Sequence, residues 1–383
     1  MQITVAKPAV SVEQKSRVAL FSHRELNKHV AHCFIYEFED LVADVENTSI
    51  FAPTNSLNKL RKINTLANLF TKSTRFANLI TPQFNPIVFQ EEYELFFAVF
   101  SHPFEVFDLN YLSHNWRNNC QKAVCYLIEV WDVFLQGREF LLEPLKKFDH
   151  IFLGVRNGVE KVAQVTGRPC SYLPPSIDTL KFCPYPALPH RGIDVLSIGR
   201  RSPITHQALL DLSQRKDLFY YYDTIRNLEA INNQEHRSLV SNLAKRSRYF
   251  IANRPNVDEN HKTKGKEELG YRFFEGAAAG TVMLGEHPTH EEFYKHFDWQ
   301  DAVIRIPFDA SEIGDIIAEL DEQPERLARI RKDNVVNSLL RHDFVYRWRE
   351  ILNKVDIEPT PKMLARETAL SKLAWSIENS CRC

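Results

Sequence analysis

Between Lys264 and Gly285 the sequence reads KGKEELGYRFFEGAAAGTVMLG, in which carboxylates, basic groups and very small residues alternate. Glu267 and Glu275 are eight positions apart, a little over two turns of a helix, which puts both on roughly one side. A carboxylate suits the vicinal hydroxyls of a ribose because it accepts two hydrogen bonds in fork geometry. Arg272, three before Glu275, is spaced to pair with it or to reach a phosphate. The small residues from Gly276 to Gly280 let a backbone or ligand approach closely. A second group, Gly199-Arg200-Arg201, follows the apolar run Asp194–Ile198 and offers two guanidinium groups for charge-assisted bonds to phosphate. Ser202, Thr205 and the amides ahead of a helix at His206 add possible anion contacts. In the first half, His102 lies in Ser101-His102-Pro103 after an apolar run ending at Phe100; His23, His29 and His114 are further cleft candidates. A plain surface helix, an arginine pair on a turn and a solvent-facing histidine would have the same local sequences.

Other chemistries lack their residues. The sequence has no HExxH, CxxC, GxSxG or P-loop pattern, so it offers neither a metal site nor a nucleophile elbow. With 12 glycines, any nucleotide site must rely on one or two of them plus side chains.

These groups are positioned by short apolar runs alternating with longer helical stretches, the pattern of parallel sheets covered by helices. Strands are expected at 17–21, 49–52, 94–100, 122–128, 151–155 and 170–173, with helices over 25–45 and 57–79. In the latter, Leu57, Leu60, Ile63, Leu66, Leu69 and Phe70 form one apolar stripe. The proline-dense stretch 174–189 interrupts the alternation. It then restarts with strands at 194–198, 219–222, 249–253, 282–285 and 302–306. Helices are expected over 206–215, 234–246, 267–279, 312–320, 324–340 and 345–354. The fold class is therefore α/β, with two Rossmann-like domains facing a cleft. The expected division is an acceptor-side domain 1–185, a donor domain 186–355, and a tail 356–383 whose helix crosses back to the first domain.

A chain of 383 residues with 44% hydrophobic and 25% charged residues has the makeup of a two-domain folded protein. Its net charge of −1 disfavours nucleic acid and generic attraction to acidic membranes, leaving local basic clusters to be argued singly. No run approaches the length of a transmembrane helix, and the first residues do not form a secretory signal, so a cytoplasmic location is expected. The seven cysteines are expected to be reduced thiols, with no role assigned to the terminal Cys381 and Cys383.

The Lys264–Gly285 segment resembles the donor-binding motif of retaining glycosyltransferases of the B-type fold (GT-B, group 1 or family 4-like), whose two glutamates are separated by seven residues. Arg-Phe-Phe-Glu-Gly-Ala-Ala-Ala-Gly is also similar to the Arg-x-x-Glu helix of bacterial transferases related to spore-coat maturation proteins. The resemblance implies that Glu275 holds the nucleotide ribose, that Glu267 faces the donor sugar, and that Arg200 or Arg201 meets the diphosphate. It extends over about residues 90–310, taking in Tyr126–Asp132, Phe148–Leu153 and Leu173–Asp178 with Phe182. The loop Phe21-Ser-His-Arg-Glu25 lacks the glycines many relatives carry near the acceptor.

The expected activity is transfer of a hexose-type sugar from a UDP-sugar or GDP-sugar to a hydroxyl acceptor, with retention, without cofactor or metal, in polysaccharide or glycoconjugate synthesis. The site residues are Gly199, Arg200, Arg201, Arg272 and Glu275 for the donor, with Glu267 and His102 as catalytic candidates. An inverting transferase, a sugar-nucleotide epimerase and a degenerate sugar-binding or scaffold protein are the alternatives.

Overall fold

Apolar runs such as Tyr93–Phe100 have no polar face to offer water, so they fold as strands covered on both sides. The computed structural model describes residues 15–53, 58–72, 76–77, 86–215, 217–224 and 229–379. Its first sheet contains β1 (Val18–Phe21), β2 (Thr48–Phe51), β3 (Tyr93–Phe100), β4 (Cys120–Leu127), β5 (His150–Leu153) and β6 (Cys170–Tyr172), in the order β2-β1-β3-β4-β5-β6. The second contains β7 (Ile193–Ser197), β8 (Tyr220–Tyr222), β9 (Ser247–Ile251), β10 (Val282–Gly285) and β11 (Ile304–Arg305), in the order β11-β10-β9-β7-β8. The paired strands run parallel in both sheets. This is the expected α/β class, two Rossmann-like units of the GT-B type. In each sheet the strand order reverses beside the first strand of the unit. Doubly wound sheets open a crevice there, at the carboxyl ends of the strands. In the first sheet that point lies between the ends of β1 and β3; in the second, between those of β7 and β9.

The helices that matter below are α1 (Cys33–Val45), α2 (Asn58–Thr71), α3 (Pro203–Gln214), α4 (Asn233–Lys245), α5 (Tyr271–Ala278), α6 (Pro324–Arg341), α7 (Phe344–Lys354) and α8 (Pro361–Asn379). Their starts follow capping chemistry. Ser202 accepts from the amides of Ile204 and Thr205 with Pro203 behind it, Asn232 caps α4, and Asp343 caps α7.

Three helix expectations need correction. The helix expected over 25–45 begins only at Cys33, after a turn in which His29 accepts the Ala31 amide. The helix expected over 57–79 is described over 58–71; Leu57 and Leu79 lie outside the described residues. The helix expected to contain Glu267 starts at Tyr271, because the extended Gly270 and the turn at Lys264-Gly265, both at positive φ, keep the preceding segment out of helix.

The two chain crossings between the units lie side by side. Ile177 pairs with Asp343, and the Ser176 hydroxyl donates to the His342 carbonyl at 2.7 Å. After that return, Phe344 stacks on Phe38 of α1 and the Trp348 indole donates to Glu46 at 2.8 Å. α7 therefore packs with the first sheet. α8 follows it against α1 and α6, burying Met363, Leu370, Ala374 and Ile377. Cys33, Cys120, Cys125, Cys170 and Cys183 are free thiols, all but Cys170 buried; Cys381 and Cys383 lie outside the described residues.

Candidate functional site

At the second sheet's switch point β7 runs into Gly199, whose φ of +87° favours glycine. A Cβ there would stand 3.8 Å from Nη2 of Arg272, so Gly199 and the start of α5 face one another closely. Arg272 in turn donates to Oε2 of Glu275, one turn further along α5. These three expected donor residues thus come together at one crevice.

Glu275 is more deeply set than its sequence suggests, at 1% exposed. Its other oxygen accepts from Arg237 of α4 at 2.5 Å. Burial alone would raise the Glu275 pKa; the charges of Arg272 and Arg237 outweigh it and hold the carboxyl below its ordinary range. Arg237 also donates to Glu37 of α1 at 2.9 Å, and Lys181 reaches the other Glu37 oxygen at 2.9 Å. A relay, Lys181–Glu37–Arg237–Glu275–Arg272, buried at its three central members, therefore joins a helix of the first unit to the switch point of the second. Sequence reading missed Arg237 and Glu37, although each left a signal. Arg237 shares a helical face with the buried Val240, Ser241 and Ala244, and Glu37 stands in the apolar run of α1.

The remaining expected residues diverge. Glu267 lies in the loop before α5, where Oε2 accepts from the Thr289 amide at 2.7 Å and Oε1 stands 3.3 Å from Arg254. It does not share a helix with Glu275. Arg254, just past β9, also pairs with Glu286 at 3.1 Å. Arg200 turns to Asp258 and Glu259, while Arg201 binds Asp223 at 2.6 Å and lies over the Tyr222 ring. The amides of Ile204 and Thr205 are satisfied by Ser202, and the Thr205 hydroxyl donates to the Phe308 carbonyl at 2.6 Å. The expected anion contacts of Ser202 and Thr205 are thus used in capping and packing. Glu268 is buried and accepts from the Asn157 amide at 3.0 Å and side chain at 2.7 Å, tying the loop to the first unit. Lys266 makes a similar crossing to Asp132 at 2.7 Å.

The first sheet's switch point carries its own polar cluster. His102 caps the segment after β3 and packs edge-on against Phe134, and burial lowers its pKa from the ordinary imidazole value. Buried His23 stands 3.0 Å from Asp108, and His32 is 2.9 Å from the Ser101 hydroxyl. Beneath them lies fully buried Glu39, bonded to Ser22 and to Arg24. His29 serves as a cap, and His114 is solvent-exposed.

Residues 196–353 match the family model described as glycosyl transferase-like. The matched span runs from the end of β7 through α7 and so includes Gly199, Arg237, Glu267, Arg272 and Glu275. The likeness to that family lies in the second half of the chain. No curated protein matches the chain. Among solved structures, the chain is similar to a glycosyltransferase from Rickettsia africae ESF-5, at 11% identity and a TM-score of 0.48, over 89% of this chain and 97% of that one. It is also similar to the trehalose-6-phosphate phosphatase N-terminal domain of Candida albicans, at 9% identity and TM-score 0.46, over 92% and 99%. A putative UDP-N-acetylglucosamine 2-epimerase from Listeria monocytogenes is similar at 7% identity and TM-score 0.45, over 90% and 96%. Among the described residues, no helix is long and apolar enough to cross a membrane.

Proposed function

We propose that this protein transfers a hexose-type sugar from a UDP- or GDP-linked donor to a hydroxyl acceptor, with retention at the anomeric carbon. The observation that carries this reading is the meeting of Gly199, Arg272 and Glu275 at the second sheet's switch point, within the span matching the glycosyl transferase-like family. In this reading the ribose hydroxyls donate to Glu275 and displace Arg272 from Oε2. The freed guanidinium then turns to the diphosphate beside Gly199. Arg200 and Arg201 exchange their carboxylate partners for phosphate oxygens in the same way. Positive charge at that place stabilises the departing diphosphate as the anomeric centre gains oxocarbenium character. Glu267 faces the donor sugar from the other side of the loop, and His102 belongs to the acceptor side. No protein nucleophile is assigned.

A second reading has support of its own. Arg200, Arg201 and both oxygens of Glu275 are already engaged by protein partners, as a non-catalytic, scaffold-like descendant would have them. Calorimetry of the full chain with UDP and GDP, followed by a donor screen with the product anomer read by NMR, separates the two. Nucleotide binding with transfer supports the enzyme; a folded protein binding neither nucleotide removes it.

A further inference from the structure

From Ile63 to Phe70, the part of the expected stripe of α2 whose side chains are described, the apolar residues do not face the core. The helix rests on the Pro103–Tyr111 segment and buries Ala67 and Asn68, while Ile63, Leu66, Leu69 and Phe70 are 46%, 65%, 38% and 91% exposed. Ile63, Leu66 and Phe70 stand at i, i+3 and i+7, so they form one outward face. A polar residue inside and a phenylalanine almost wholly outside is the reverse of what a water-facing helix needs. Contiguous exposed apolar surface of this kind marks a docking face.

The surrounding charge indicates what docks there. From residue 47 to residue 90 the sequence has no aspartate or glutamate, yet carries Lys59, Arg61, Lys62, Lys72 and Arg75. The whole chain has a net charge of −1, so this positive charge is local. Lys62 stands four residues before Leu66, about 40° round the helix from it, so a basic group borders the apolar face. A helix with exposed leucine and phenylalanine beside lysines is suited to the boundary between headgroups and acyl chains, where the apolar side enters and the basic groups meet anionic lipid.

We propose that α2 docks the protein on an anionic membrane surface, with Ile63, Leu66 and Phe70 inserted and the lysines among the headgroups. The Pro103–Tyr111 segment beneath α2 follows directly on His102, so the docked face adjoins the first sheet's switch point. The docking stands whether or not the protein proves to be a transferase.

The test is flotation of the full-length protein with vesicles of phosphatidylcholine alone or mixed with phosphatidylglycerol. The native chain is expected to float with the anionic vesicles, roughly tenfold more than with neutral ones, and to be released as salt is raised. Leu66→Glu with Phe70→Glu is expected to abolish flotation. Lys62→Glu with Lys72→Glu is expected to remove the preference for anionic lipid. All these side chains are exposed, so the melting temperature should be unchanged. The proposal is overturned if the native protein stays at the bottom with anionic vesicles, or if the double glutamate variant at Leu66 and Phe70 floats equally well. It is also overturned if light scattering without lipid shows a dimer that Phe70→Glu dissolves, since the face would then belong to a second copy.

Discussion

Two buried carboxylates behave oppositely because of what surrounds them. Glu275 sits between Arg237 and Arg272, and its lowered pKa means that its ionised form supports the fold. That contribution is present above the carboxyl's unfolded pKa and is lost as pH falls through the lower, folded one. Glu275→Gln removes one partner of a buried pair, which costs about 3–5 kcal/mol. Urea unfolding of the Gln variant should show that loss, and nucleotide affinity must be measured well below its melting point. An unchanged midpoint would mean the relay carries no weight. Glu39 is the counter-case: burial raises its carboxyl from an ordinary 4.5 to about 7, despite Arg24 and the Ser22 hydroxyl. Between those values the folded chain keeps a proton that the unfolded chain has released. Stability from this group therefore falls as pH rises through that window, by about 3 kcal/mol. Glu39→Gln should flatten this part of the urea-midpoint profile against pH, whereas an unaltered slope would show that Glu39 is already ionised in the folded state.

The helix–strand unit carrying Glu275 depends on its glycines for contact more than for flexibility. α5 ends at Ala278, and Gly280, at φ +60°, turns the chain into β10. A Cβ on Gly280 would come within 2.8 Å of Val335 and 3.0 Å of the Arg331 carbonyl on α6. Gly280→Ala therefore meets left-handed strain and a backbone neighbour together, and should destabilise by about 1–3 kcal/mol. A thermal melt checks this; a neutral result would mean that α6 can move away. Elements of this kind were largely legible from the sequence. Each expected strand appears within about two residues of its place, because continuous apolar runs between breakers leave little choice. The beginning of α5 was not, since glutamates at helical spacing look the same whether Gly270 continues a helix or opens one. The partners of the site arginines were also hidden. Asp223 lies 22 positions from Arg201, and Asp258 and Glu259 lie 58 and 59 positions from Arg200; only the fold brings them together. The same limit explains α2: its stripe was visible in sequence, but periodicity cannot tell an inward face from an outward one.

Over the whole molecule, the division into units is less clean than a boundary near residue 185 implies. A fragment 186–355 would part Arg237 from Glu37 and Trp348 from Glu46, and would strip Phe344 and Trp348 of the first sheet. It is therefore not a fair vessel for nucleotide binding, which should be measured on the full chain. The tail presents the sharper test. α8 places Met363, Leu370 and Ile377 in the core shared with Val18, Leu20 and Ile35 of the first unit. Fully burying each such side chain stabilises by about 1.5–3 kcal/mol, an upper figure because the unfolded chain already hides part of that surface. Arg366 on the same helix donates to Asp178 at 2.7 Å and to Asp343 at 2.8 Å, clamping the two crossings. Asp343 is wholly buried, so without Arg366 it keeps only the donors from Thr179 and Val345. The sum is comparable with the total stability of about 5–15 kcal/mol that a folded domain has to lose. A chain ending at Thr360 is therefore expected to be insoluble or to melt far below the full chain. Arg366→Leu should keep α8 in place and lose only the clamp, for a smaller drop of about 3 kcal/mol. If the shortened chain instead unfolds in a single transition within a few degrees of the native one, α8 is an accessory, and the first unit closes its core without it.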